Sequence, residues 1–248
     1  MLSNVEFPVY IVLGPWRIHP HFVFEALAYS VALRLTLWNS RRDSLPAAQR
    51  SSVVVGGMVG ALVGAKVLVM LQHVYLAWEN LPQYGLLLVQ GKTVVGALLG
   101  AVMGVELTKK LIGVTRSTGD WFVGPLIAGM MIGRVGCFLT GLSDRTYGIA
   151  TNLPWGVDFG DGIARHPTQL YEIVFLLGLL GLIWLQAKRR ALKPGEKFQI
   201  FMVGYLSFRL LVDSIKPDFH PLLGLSAIQI ACLLGLGYYW RTIRDFRF

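Results

Sequence analysis

The sequence predicts an all-α integral membrane protein of about seven transmembrane helices, N-terminus out and C-terminus in. Three observations carry this. Apolar residues come in long blocks, Lys and Arg gather on every second connecting loop, and ionisable residues recur at one depth inside the blocks.

Of 248 residues, 54% are hydrophobic and only 15% charged, with a mean hydropathy of +0.55. A soluble domain of this length carries more charge and interleaves its apolar residues. Uninterrupted apolar blocks suit a hydrocarbon solvent, in which a helix satisfies its own backbone groups. They predict spans over 22–38, 53–72, 93–112, 121–142, 169–187, 198–215 and 222–240. Each is near the roughly 20 residues that cross a bilayer. Residues 1–248 are read as a single polytopic membrane domain. The first and third spans are the least apolar, because they enclose Glu25, Arg34, Glu106 and Lys109.

Loop charge sets the orientation. Loop one carries Arg41, Arg42 and Arg50 against Asp43, and loop three Lys109, Lys110 and Arg116 against Asp120. Loop five carries Lys188, Arg189, Arg190, Lys193 and Lys197 against Glu196, and the tail adds Arg241, Arg244 and Arg247. The alternate loops are poorer: Glu79 and Lys92 in the second, and Arg145 and Arg165 against Asp144, Asp158 and Asp161 in the fourth. Basic loops stay on the cytoplasmic side, which puts the N-terminus outside. The net charge of +9 is then topogenic rather than a nucleic-acid footprint, and nucleic acid is not an expected partner. Glu6 precedes Arg17, so the first block lacks the basic leader of a cleaved signal peptide. Cys137 and Cys232 both fall in apolar segments, and no ligand spacing for a metal is present, so no disulfide framework, metal or cofactor is expected.

Gly56, Gly60 and Gly64 repeat every four residues, as do Gly96, Gly100 and Gly104, with Gly129 and Gly133 continuing the habit. Such rows clear one helix face for close backbone approach, and helix packing is the expected use. No internal repeat or matched pair of broken helices is present, which argues against a transporter.

Ionisable side chains at bilayer depth cost several kcal/mol and mark function. Lys66 lies two-thirds along the second span, and Arg134 in the outer half of the fourth. Arg209 lies in the outer half of the sixth, one turn before Asp213. Arg165, His166, Gln169, Tyr171 and Glu172 form the outer lip of the fifth span, while His19, His21 and Glu25 frame the entry to the first. One shared depth predicts a common polar cavity opening to the outer leaflet. Plainer readings stand beside it. Arg209 and Asp213 also suit a helix-face pair worth roughly 0.2–0.5 kcal/mol if exposed. Lys66 also suits a snorkelling side chain. Residues 165–172 also read as a helix start, with Pro167 in its first turn, Thr168 or His166 capping and Glu172 at the positive end. Arg134 sits among small residues in GMMIGRVGCF (129–138), and its planar fork of donors matches a phosphodiester.

RHPTQLYE (165–172), GRVGCF (133–138), FRLLVDSIKPD (208–218) and GPWRIH (14–19) together resemble the prolipoprotein diacylglyceryl transferase family over nearly the whole chain. The resemblance implies a multi-pass enzyme of the bacterial cytoplasmic membrane. Its partners would be membrane lipids, phosphatidylglycerol as diacylglyceryl donor and a prolipoprotein lipobox cysteine as acceptor. It implies that Arg134 and Arg209 are the headgroup arginines, and that His166, Gln169, Tyr171 and Glu172 occupy matching positions of the outer lip. His19 falls in the N-terminal element, and Lys66 stands where an arginine is expected. The chain departs from the family where G-R-x-G-N-F-x-N-G-E would continue: Cys137, Thr140 and Leu142 replace two asparagines and the acid, with Asp144 two residues further on. The family's histidine before a Gly-rich third span aligns with Val95. The phosphate-binding half is kept and the proton-handling half altered, as in a divergent paralogue.

Thioether formation needs a thiolate, an electrophilic glycerol carbon and a stabilised departing phosphate. A thiol of pKa about 8.5 needs a cation or base beside it. Arg134 and Arg209 would stabilise the leaving phosphate with preorganised donors. The base falls to His166, with His19, His21 and Asp144 as alternatives. Cys137 is a small apolar residue or a local nucleophile. The competing function is a catalytically altered protein that binds phospholipid or uses another acceptor.

Overall fold

The computed structural model describes residues 6–217, 224–240 and 244. Asp218, Arg241, Arg247 and the first two residues of the seventh predicted span lie outside them. Helices dominate, and they fall into two compact units: residues 1–39, 119–201 and 214–217, and residues 40–118, 202–213 and 218–248.

The first unit opens with an antiparallel hairpin, β1 (Ile11–Leu13) and β2 (Trp16–Ile18), turned at Gly14 with φ 59°. Val12, Leu13 and Trp16 on it are exposed. Helix α1 (Pro20–Ser40) follows at once. Helix α6 (Asp120–Thr140) packs on it through small residues: a Cβ on Gly129 would lie 3.0 Å from Ala32 Cβ, and one on Gly136 2.5 Å from Phe24 Cβ. Gly141, at φ 70°, ends α6 and starts a 3-10 turn, Gly141–Asp144, which Arg145 closes in the left-handed region at φ 53°. A short hairpin, β3 (Val157–Asp158) with β4 (Ala164–Arg165), leads to helix α7 (Thr168–Arg189). Phe159 is buried against the rings of Phe7 and Phe138. No side chain caps the start of α7. Thr168 instead donates its hydroxyl to the Thr146 carbonyl, because a long loop has to be tied down there. Lys188 and Arg189 in the last turn suit the negative helix end.

The second unit contains α2 (Ala47–Gln72), short helices α3 (Leu76–Glu79) and α4 (Leu81–Gln90), α5 (Val94–Leu111) and α9 (Ala227–Tyr238). Both glycine rows face each other, antiparallel. A Cβ on Gly60 would lie 2.2 Å from the Gly100 carbonyl oxygen, one on Gly64 2.2 Å from that of Gly96, and one on Gly104 2.2 Å from that of Gly56. The rows are a packing device, as expected. Gly60→Leu should therefore force α2 and α5 apart, at about 1–3 kcal/mol or more, and lower the thermal midpoint in detergent. Gly178→Ala, a site with nothing within 4 Å, should not. Helix α9 begins on a capping box in which Ser226 and Gln229 bond reciprocally. Helix α8 (Glu196–Asp213) divides between the units, its first turns in the first and the rest in the second.

Each predicted span coincides with a helix, and α2 starts six residues earlier than 53. Three segments among the described residues are long and apolar enough to cross a membrane: Ala47–Gln72, Asp120–Asp144 and Thr168–Arg189. The other four fall short for visible reasons. Glu25 and Arg34 interrupt α1. Glu106, Lys109 and Lys110 charge α5, and α8 holds Arg209 and Asp213 besides Glu196 and Lys197. Helix α9 spans 12 residues.

Candidate active site

Arg134 is buried on α6, at 8% exposure, and its Nε donates to Glu172 Oε2 at 2.9 Å; Glu172 is 2% exposed. Glu172 thus serves as the partner of the arginine, in addition to sitting near the start of α7. A guanidinium held through Nε has its plane fixed, so its remaining donors point in set directions. One of them, Nη1, reaches Cys137 Sγ one turn away at 3.8 Å.

The turn at Gly141 is what brings Asp144 to this place. A Cβ there would lie 2.7 Å from Phe7 Cβ and the φ is positive, so glycine suits the position twice over. The 3-10 turn then carries the Asp144 carboxylate beside His21, with Oδ1 3.0 Å from Nδ1. The other ring nitrogen, Nε2, faces Glu25 Oε2 at 3.3 Å, one helical turn along α1. Thr146 donates its hydroxyl to Asp144 Oδ2 at 2.7 Å, and Gln169 Nε2 donates to Thr146 Oγ1 at 3.0 Å. Gln169 is 1% exposed, and its Oε1 has no hydrogen-bond partner among the described residues. One continuous polar chain therefore links Gln169, Thr146, Asp144, His21 and Glu25, with Cys137 and the Arg134–Glu172 pair beside it.

Other predicted residues are engaged differently. His166 Nδ1 lies 3.0 Å from the Tyr171 hydroxyl, which also accepts from Trp155 Nε1 at 2.9 Å. His19 Nδ1 accepts the His21 backbone N–H at 3.3 Å, so this imidazole serves the first turn of α1. Arg165 forms a two-pronged pair with Asp161 at 2.6 and 2.7 Å and stacks over Tyr147. That cation holds the Asp161 carboxyl below the usual carboxylate range.

In the second unit, Arg209 is 5% exposed and Asp213 is fully buried; Nη2 donates to Asp213 Oδ1 at 3.4 Å. This is an interior pair, unlike the exposed helix-face pair that the spacing also allows. Ser226 donates its hydroxyl to Asp213 Oδ2 and accepts the Gln229 N–H at 3.0 Å, tying α8 to the start of α9. Lys66 Nζ donates to the carbonyls of Val89 and Gly91, both at 2.8 Å, where it closes the end of α4. Val95 is 1% exposed, a buried apolar residue.

His21, Cys137 and Asp144 were visible as residues but not as a group. They stand on three elements, and the one sequence signal was an acid displaced by two positions beyond Leu142.

The family described as prolipoprotein diacylglyceryl transferase matches residues 8–240. A Bordetella parapertussis protein named phosphatidylglycerol–prolipoprotein diacylglyceryl transferase is 31% identical, covering 96% of this chain and 95% of its own length. A Methylobacillus flagellatus protein of the same name is 32% identical over 93% of this chain and 91% of its own. One from Legionella pneumophila is 29% identical over 85% and 84%.

Proposed function

Since the chain belongs to the prolipoprotein diacylglyceryl transferase family, we propose that it moves the diacylglyceryl group of phosphatidylglycerol to the lipobox cysteine of a prolipoprotein, releasing glycerol phosphate. The observation that carries this reading is the Arg134–Glu172 pair at 2.9 Å. It joins GRVGCF to RHPTQLYE, the two stretches on which the family resemblance chiefly rests.

The reaction takes place at the outer leaflet of the bacterial cytoplasmic membrane, on a protein of seven spans with its N-terminus outside. Alternating loop charge supports that orientation, and the antiparallel pairing of α2 with α5 suits two successive spans. Arg134 attracts the phosphate as negative charge grows on the oxygen of the breaking C–O bond. Only attraction that increases in the transition state accelerates the step. Gln169, whose Oε1 is buried and has no hydrogen-bond partner among the described residues, orients the glycerol portion by accepting a hydroxyl. Tyr171 and His166 form the outer lip. In the second unit, Arg209 and Lys66 are the cations that the family resemblance implies for the headgroup. Deprotonation of the acceptor thiol falls to the side chains around His21 and Asp144 or to His166, whose Nδ1 lies 3.0 Å from the Tyr171 hydroxyl.

Incubating the purified protein with phosphatidylglycerol and a lipobox peptide should add one diacylglyceryl mass to the peptide and release glycerol phosphate in equal amount. Neither product appearing would rule the reaction out. A second reading, lipid binding without transfer, is favoured by Val95 in place of the expected histidine. It predicts copurified phospholipid without a modified peptide.

A further inference from the structure

The side chains of His21, Cys137 and Asp144 offer one nitrogen, one sulfur and one oxygen whose positions lie within 4.8 Å of one another, and all three residues are partly accessible. We propose that they bind a zinc ion, and that its fourth position takes the thiol of the acceptor cysteine. This rests on the transfer reading above and supplies the deprotonation which that reading requires.

The donor set is the first argument. A thiolate, an imidazole and a carboxylate suit zinc, whereas magnesium and calcium take oxygen ligands. Tetrahedral bonds of about 2.0–2.3 Å put donor atoms about 3.3–3.7 Å apart, within the reach of small side-chain rotations here. His21 Nδ1 and Asp144 Oδ1 already stand 3.0 Å apart.

The second argument is the ring of partners behind the donors. Glu25 faces His21 Nε2 at 3.3 Å, so an N–H on that nitrogen leaves the Nδ1 lone pair for the metal. Thr146 donates to Asp144 Oδ2 at 2.7 Å and is itself held by Gln169. Arg134 Nη1 lies 3.8 Å from Cys137 Sγ, in the position of a donor to a thiolate. Each candidate ligand thus has its own outer partner, as ligands in metal sites have.

The third argument is against the obvious rival, a nucleophile–base–acid relay through His21. A relay needs the thiol on one ring nitrogen and the orienting acid on the other. Here both nitrogens already face carboxylates, Asp144 and Glu25, while the thiol converges on the same point as Asp144. Two carboxylates and a thiol converging on one imidazole make a donor set that a metal cation suits.

Three protein ligands leave one position open, as in catalytic zinc sites. The acceptor thiol entering it gives up its proton to water, since a coordinated thiol is deprotonated outright. Its sulfur then attacks the diacylglyceryl carbon that bears the phosphate. The C–S bond forms, the C–O bond breaks, and the electron pair leaves on glycerol phosphate. Nothing is oxidised or reduced.

Full-length protein in detergent, stripped by a chelator, should take up about one Zn2+ per chain. Co2+ in its place should give a thiolate charge-transfer absorption that is lost in Cys137→Ser. A cysteine peptide should intensify that absorption, and its serine counterpart should not. Thr146→Val should weaken Zn2+ binding about 10–100-fold. No such absorption in the wild-type protein, or an equal one in Cys137→Ser, overturns the site. Undiminished diacylglyceryl transfer by metal-free protein overturns the metal's role and leaves the transfer reading standing. Stoichiometric zinc with no transfer from phosphatidylglycerol leaves the site standing and defeats that reading.

Discussion

Arg134→Lys should lower phosphatidylglycerol-dependent transfer about 100- to 1000-fold. The substitution keeps a positive charge beside Glu172, so the folded protein should survive it. It removes the planar fork, and with it the paired donors fixed in direction by the 2.9 Å bond from Nε to Glu172. An ammonium on a flexible stem attracts phosphate in the ground state nearly as well. It cannot hold donors aimed at the oxygen where charge develops, and only that differential counts in the rate. Glycerol phosphate release and peptide mass gain read the effect directly, alongside a thermal unfolding scan in the same detergent. A variant within about threefold of the parent rate would remove Arg134 from the machinery, since a single lost donor to an oxyanion typically costs far more.

The largest stability effect should come from the other half of the same pair. Glu172→Ala should destabilise the protein by about 3–5 kcal/mol, the usual result of leaving one charge of a buried pair uncompensated. Glu172 is 2% exposed and Arg134 8%, so little solvent is on hand to rescue the orphaned guanidinium. The double variant Arg134→Met with Glu172→Leu should recover most of that loss, because apolar residues of similar volume remove both desolvation penalties together. It should nonetheless transfer no lipid. Denaturant or thermal unfolding of the three variants checks the stability half, and the peptide assay the functional half. Glu172→Ala as stable as the parent would mean that the carboxylate is not needed to balance Arg134.

Much of the helical layout was legible because it depends on the medium around each segment. A run such as Ala47–Gln72 has to be helical in hydrocarbon wherever else the chain goes. The glycine rows were equally readable, since a cleared face has one main use, and Gly60 does meet Gly100. Residues that carry their chemistry with them were legible too. Arg134 stood out by its setting, and Gln169, Tyr171 and Glu172 by their crowding into one short stretch.

Partnership was not legible. Glu172 reads as a helix-start acid until α6 and α7 pack together and it meets Arg134. His166 reads as the base, and nothing in its spacing shows that the Tyr171 hydroxyl stands 3.0 Å from its Nδ1. Thr168 reads as a cap, yet its hydroxyl holds the Thr146 carbonyl. The group His21, Cys137 and Asp144 forms because Gly141, at positive φ, ends α6 and the 3-10 turn after it carries Asp144 to His21. Hydropathy, charge alternation and glycine spacing are properties of single segments, so the order of residues alone determined the helices and the signature stretches. Which side chains face each other depends on backbone angles at a few turns and on close packing between distant segments. That was left to the tertiary structure, because hydrogen bonds and ion pairs act over a few ångströms and have no trace in linear spacing.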